Sequence, residues 1–148
     1  MSPTNTNTFP VLLEQVFFTR QSVISIPGYV RPDKPTAISI VPSNTISLVP
    51  VPDRPKVYAA IMQTIFNQEQ NPNAPYFIDM ECHAIFIGKE ESPDEEIQRA
   101  VAITGHNVAF GAIREAVYWM TGRQPYGPMP LGLSILQPGS PSDTEKGK

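Results

Sequence analysis

Proline has no N–H to donate to a sheet and cannot continue a helix interior, so its positions bound what the rest of a chain can form. Here it is plentiful, 17 residues in 148, and clustered. Pro27, Pro32 and Pro35 form one group and Pro42, Pro50, Pro52 and Pro55 a second. Pro72 and Pro75 form a third, and Pro125, Pro128 and Pro130 a fourth. The stretches between them are rich in β-branched and aromatic residues, which marks them as strands. Four follow in order: 12–26; 37–49, interrupted at 42–44 and therefore a broken edge strand; 57–66; and 76–87, the strongest. The connection 67–75, Asn-Gln-Glu-Gln-Asn-Pro-Asn-Ala-Pro, is turn chemistry and predicts that the last two strands form a hairpin.

After Gly88 the period changes. Ser92 reads as a helix N-cap, Pro93 as the first helical residue, and Asp94, Glu95 and Glu96 as acids on the positive end of the helix dipole. Ser92 with Glu95 also fits a capping box. The helix runs from Pro93 to about Thr104, where Gly105 either breaks or kinks it. A second helical stretch, 107–121, ends at Gly122-Arg123 with Pro125 shortly after. Strands followed by helix, without alternation, predict an α+β fold with a four-stranded antiparallel sheet. The chain is long enough for one domain, placed at 9–138. Residues 1–8 and 139–148 carry too little apolar surface to offset the entropy of ordering and are expected to be flexible tails.

Composition excludes several classes. The 11 Lys and Arg are scattered and the net charge is −3, so there is no footprint for nucleic acid. No apolar run approaches the ~20 residues needed to cross a bilayer. The first nine residues are polar and uncharged, unlike a secretory signal or a transit peptide. The single cysteine, Cys82, excludes an intramolecular disulfide and a multi-cysteine zinc site. These features point to the cytoplasm, with no membrane or nucleic-acid partner. Neighbouring strand residues point to opposite faces, so Cys82 and His83 cannot form a nucleophile–base pair. Gly122, Gly127 and Gly132 stand among prolines and build no phosphate loop. The expectation is a protein that is not an enzyme, with no catalytic residues, no metal and no cofactor.

Two patterns bear on function. In 107–120 the only charges are the adjacent Arg114 and Glu115, while Val108, Phe110, Ile113, Val117, Trp119 and Met120 spread over most of the helix circumference. A helix apolar all round is a buried one, yet a single sheet has one face to offer. Either a second subunit covers the outer side, which is the simpler resolution, or the chain's own Pro-rich C-terminal segment does. In 76–87, Tyr76, Ile78, Met80, Cys82, Ala84 and Phe86 share one face, expected to pack inward, and Phe77, Asp79, Glu81, His83, Ile85 and Ile87 share the other. Strand 57–66 is apolar on both faces too. Such a sheet has either a second partner or an exposed adhesive patch, or it packs under a loop such as 27–35 or 42–55.

The segments resemble those of SecB, the bacterial protein-export chaperone, over roughly 15–136. Val16-Phe17-Phe18-Thr19-Arg20 looks like that family's first strand, Val57-Tyr58 its third, and Tyr76-Phe77-Ile78-Asp79-Met80-Glu81 with Ile85-Phe86 its fourth. Ala112-Ile113-Arg114-Glu115-Ala116 is similar to its Ala-Arg-Glu signature, followed by Met120, Arg123, Tyr126 and Pro128. The resemblance implies a cytoplasmic, ATP-independent holdase that binds unfolded polypeptide. It also implies assembly as a dimer of dimers, with helices sandwiched between sheets. It places client contacts at Tyr76, Ile78, Met80, Cys82, Tyr126 and Met129, partner docking at Phe77 and Asp79, and subunit contacts at Phe110, Ile113, Val117 and Met120. Family acids that dock the export motor SecA are Gln21 and Ser25 in the first strand here, and the terminal helix is shortened or absent. Those departures weaken the expectation of SecA as partner. They raise a second reading, a SecB-like chaperone dedicated to one partner such as the antitoxin of a toxin–antitoxin system.

Overall fold

The structure, a computed structural model, describes residues 9–33 and 40–132. Both expected tails lie outside the described residues, as do 133–138 of the expected domain and 37–39 of the expected second strand. Four strands, β1 (Val11–Ser25), β2 (Ser43–Pro50), β3 (Val57–Phe66) and β4 (Tyr76–Gly88), precede one helix, α1 (Asp94–Thr121). The strands form one antiparallel sheet in the order β1-β4-β3-β2. The α+β arrangement and the β3–β4 hairpin are those that the order of elements and the turn chemistry of 67–75 predict. The broken strand begins only at Ser43, just after Pro42.

The hairpin loop is held by Asn67, one of the few non-glycine residues with positive φ (58°). Asparagine tolerates this conformation, and its side chain here accepts from Asn71 N–H and donates to the Asn71 and Tyr76 carbonyls at 3.0 and 3.2 Å. β1 pairs with β4 along its whole length but slips register between Leu13 and Gln15 and between Phe18 and Arg20. Each slip is a β-bulge that adds twist and bends the strand. At the first, Glu14 points across to Arg54, which binds it through two N–H groups at 2.8 and 2.9 Å.

α1 is continuous over 28 residues, so Gly105 neither breaks it nor divides it in two. Its position explains its identity: a Cβ added at Gly105 would collide with the Cβ of Ala60 on β3. Glycine there lets the helix backbone lie close against the sheet. The expected capping box is not formed. Ile97 N–H bonds the Pro93 carbonyl at 3.1 Å, which makes Pro93 the N-cap, and no side chain caps the helix. Ser92 is thus one residue too early to serve the first turn. Its carbonyl accepts instead from the Lys56 ammonium, at 2.9 Å. Asp94, Glu95 and Glu96 occupy the first turn, where the helix dipole favours acids.

The core is the layer between α1 and the sheet. At one end Phe86, Ala84, Ala60 and Val11 meet Ile97 and Val101. At the other, Tyr76, Ile78, Met80, Cys82, Met62 and Phe66 meet Ala109, Phe110, Ile113, Val117 and Leu131. The alternating face of β4 assigned inward by the two-residue period is buried throughout. Gly105→Ala should lower stability by a net of about 1–2 kcal/mol, because overpacking against Ala60 outweighs the better helix propensity of alanine. Urea unfolding of the two proteins measures this.

Candidate functional site

Because α1 lies mainly over β3 and β4, it leaves the inner face of β1 partly bare. Leu13, Val16 and Phe18 point to the helix side there, opposite Phe86, Ala84 and Cys82 on β4. Leu13 remains 49% exposed and Trp119, on the facing flank of α1, 59% exposed. Beside Trp119 an open groove of about 520 Å³ runs between α1 and the Phe18–Gln21 part of β1, lined by Phe18, Gln21, Ala112, Glu115, Ala116, Trp119 and Met120. Small residues Ala112 and Ala116 form its floor on the helix, while Arg123 stacks on the Trp119 ring with its guanidinium 3.7 Å from the ring centre. Along the same side, the outer backbone edge of β1 has no strand partner among the described residues.

A second surface lies where the chain leaves α1. Tyr76 donates to the Gly127 carbonyl at 2.6 Å and Tyr126 to the Ile26 carbonyl at 2.7 Å. Arg31 donates to the Tyr126 carbonyl at 3.0 Å, and Gln124 joins Ser25 and the Val23 carbonyl. These bonds tie the segment after the helix to the one after β1. They hold the Tyr29 ring edge-on to Tyr126, 5.0 Å between centres, and Tyr126 tilted against Tyr76. Burial pushes the Tyr76 phenol above its usual range, so it remains a neutral donor. Beside this aromatic corner is an open pocket of about 370 Å³ lined by Tyr29, Arg31, Pro125, Tyr126 and Gly127.

The third surface is the outer face of the sheet, which no described segment of the chain covers with a second layer. Its centre is polar: Thr19 donates to Glu81 at 2.6 Å, His83 lies 3.2 Å from the same carboxylate, and Arg20 and Gln63 reach Asp79 at 3.3 and 3.5 Å. Phe17 stacks on His83 at 5.1 Å. Apolar residues surround this network, with Phe77 opposite Ile24 and Ile85 opposite Ala59. The Thr19 hydroxyl, and after it the His83 ring, hold the Glu81 carboxyl below the usual carboxylate range.

The expected site residues are thereby distributed over different layers. Tyr76, Ile78, Met80 and Cys82 are fully buried beneath α1, while Tyr126 and Met129 are half-buried at the corner. Phe77 and Asp79 lie on the outer face, half-buried. Phe110, Ile113 and Val117 fill the subunit's own core, and Met120 lines the groove. Gln21 faces the groove, and Ser25 bonds Gln124 on the inner side at 2.6 Å. Sequence reasoning had no means to assign Phe18, Gln21 and Trp119 to one groove, or Tyr29 and Arg31 to the corner. The lone tryptophan among small residues was the available signal. Cys82 and His83 do point to opposite faces, and burial pushes the Cys82 thiol up to about 11, leaving it protonated at neutral pH. Among the described residues there is no acidic, histidine or cysteine cluster able to hold a metal, and no helix is long and apolar enough to cross a membrane.

Because Glu81 has a folded-state pKa below its ordinary 4.5, its contribution to stability is complete above that value and is lost as pH falls through the folded value. Thr19→Val removes the largest cause of the shift. The variant should be less stable at neutral pH and should lose less stability than the parent between about pH 6 and about pH 3, as read from urea midpoints.

No protein-family model and no curated protein matches the chain. Its structure is similar to that of a SecB-like chaperone from Mycobacterium tuberculosis, solved in complex with a ChAD peptide from the HigA1 antitoxin. The TM-score is 0.59 at 20% identity, over 88% of this chain and 90% of that one. A protein of unknown function from Streptococcus agalactiae is also similar, at TM-score 0.46 and 17% identity over 83% of this chain and 97% of that one. The arrangement of four antiparallel strands and a following helix is thus a fold that this chain shares with that Mycobacterium tuberculosis structure.

Proposed function

We propose that this chain is an ATP-independent holdase that binds unfolded polypeptide, working as an assembly of several copies. The observation that carries the reading is the aromatic corner. Tyr29 and Tyr126 are rings set edge to face, and Tyr126 is further anchored by its own hydrogen bond, beside an open pocket on a SecB-like fold. Rigid aromatic surface receives apolar side chains of an extended chain at little entropic cost, and Arg31 at its rim adds a cation for acidic stretches. Many weak contacts of this kind hold one long segment by multivalency, with no need for a deep pocket. Met129 extends the same surface.

Self-association is supported by the seam. A 15-residue edge strand with free backbone groups is a template for pairing, and the bare apolar groove runs beside it. Two copies paired along β1 would cover both. The exposed Trp119 is then the contact residue, in addition to Met120.

A second reading, a chaperone dedicated to a single partner such as an antitoxin, is favoured by one observation. Gln21 and Ser25 offer no charge and face the inner side, so the acidic contribution of the outer face comes from β4, with Asp79 and Glu81. That is a poorer match to docking of the export motor SecA than to a narrower task.

The holdase reading expects a native mass of more than one copy and suppression of aggregation of an unfolded client without nucleotide. Tyr126→Ala should weaken that suppression several-fold while the native mass is retained, and Trp119→Asp should lower the native mass. A stable monomer that leaves the client to aggregate would overturn it. Capture of one dominant partner, with no protection of unrelated clients, would select the dedicated reading.

A further inference from the structure

The aromatic corner carries a cation with no anion beside it. Arg31 is exposed and gives one N–H to the Tyr126 carbonyl at 3.0 Å. A guanidinium has more N–H donors than that single bond uses, and it has no acceptor of its own. Arg31 forms no ion pair among the described residues, not even with Asp33, two positions on. No acidic residue lines the adjoining pocket, whose walls are Tyr29, Arg31, Pro125, Tyr126 and Gly127. The hydroxyls of Tyr76 and Tyr126 are already engaged with the Gly127 and Ile26 carbonyls, at 2.6 and 2.7 Å. The site therefore offers positive charge and ring surface, and asks for negative charge and apolar surface in return.

Its shape limits what can supply them. Gly127 has φ 83°, the left-handed region, where a side chain would be strained. A Cβ there would lie 3.8 Å from Arg31 Nη2, so the glycine keeps the space beside the guanidinium open. At about 370 Å³ the pocket receives side chains and not a folded element. A carboxylate matches the planar fork of Arg31, and a large apolar side chain matches the Tyr29 and Tyr126 rings. An extended chain turns residues i and i+2 to the same side, about 6.5–7 Å apart, while adjacent residues point to opposite sides.

We infer that the corner selects polypeptide segments in which an acidic residue stands two positions from a large apolar one. The carboxylate lies on Arg31 and the apolar side chain on the Tyr29–Tyr126 pair. The inference rests on the holdase reading, which brings an extended chain to this surface, and adds a rule of choice to it. Acidic-apolar segments are held here, and basic ones are disfavoured by like charge.

The test measures binding of fluorescent peptides to the full-length protein by anisotropy. The peptides differ only in a central Asp-Ser-Phe, Asn-Ser-Phe, Lys-Ser-Phe or rearranged Ser-Asp-Phe. Asp-Ser-Phe should bind about fivefold more tightly than Lys-Ser-Phe, a modest margin because the charge is exposed. The margin should shrink as salt is raised from about 0.05 M to about 0.5 M. Arg31→Glu should reverse the order and bind Lys-Ser-Phe more tightly than the parent does, a gain that misfolding cannot produce. Equal affinities in the parent, an unchanged order in Arg31→Glu, or Ser-Asp-Phe binding as well as Asp-Ser-Phe would overturn the inference. Suppression of client aggregation by the parent, measured in parallel, separates the two readings. Suppression without peptide preference removes only the rule of choice, whereas preference without suppression removes only the holdase.

Discussion

The separation between helix and sheet is set at Gly105, whose missing side chain lets α1 rest against Ala60. Every other feature of the inner layer follows from that approach. With the backbones close, short side chains such as Ala60, Ala84 and Ala109 suffice in the middle of the layer, and larger ones fill the two ends. A rigid rod seated at one point on a twisted sheet cannot cover all four strands, and it lies over β3 and β4. The bareness of β1 is thus a consequence of where the helix is seated as much as of the residues on β1 itself.

That geometry gives the two edges of the sheet different characters. β2 is short and ends at Pro50, which limits pairing. β1 is nearly twice as long, bent by two bulges, and carries Leu13, Val16 and Phe18 on its inner side, with Phe18 sharing a groove with the exposed Trp119. The outer face presents a central polar network in which Arg20 pairs with Asp79 and Glu81 accepts from Thr19, surrounded by aliphatic and aromatic side chains. Such a surface remains wet as a monomer yet offers apolar area at its margins. The corner at Tyr29 and Tyr126 differs again: the Tyr76 and Tyr126 hydroxyls bond backbone carbonyls, and Tyr29 packs edge-on against the Tyr126 ring they hold.

Much of the architecture was legible because it depends on local rules. Proline excludes itself from strand interiors, so its clusters delimited β1, β3 and β4 to within about a residue; the two-residue period assigned the inward face of β4 correctly. Where a local rule failed, a tertiary contact had displaced it. Ser92 had the chemistry of a cap, but the first helical hydrogen bond begins at Pro93 and Lys56 takes the Ser92 carbonyl. Gly105 read as a break or a kink in the helix, and its reason lies 45 positions earlier in the chain, at Ala60.

The apolar character of 107–120 was a property of the sequence alone, and it led to the expectation of burial on more than one side. Which residue faces which side was decided by the tertiary structure. The crossing of α1 over β3 and β4 sends Phe110, Ile113 and Val117 into the subunit's own core and leaves Trp119 and Met120 on the flank toward β1. The same holds for Tyr76 and Tyr126: the sequence supplied two aromatics 50 positions apart. Only the return of the chain after α1 brought their rings into one corner with Tyr29. Periodicity reports how often an apolar side chain recurs, whereas the direction in which it is covered depends on the angle between helix and sheet, and no local pattern encodes that angle.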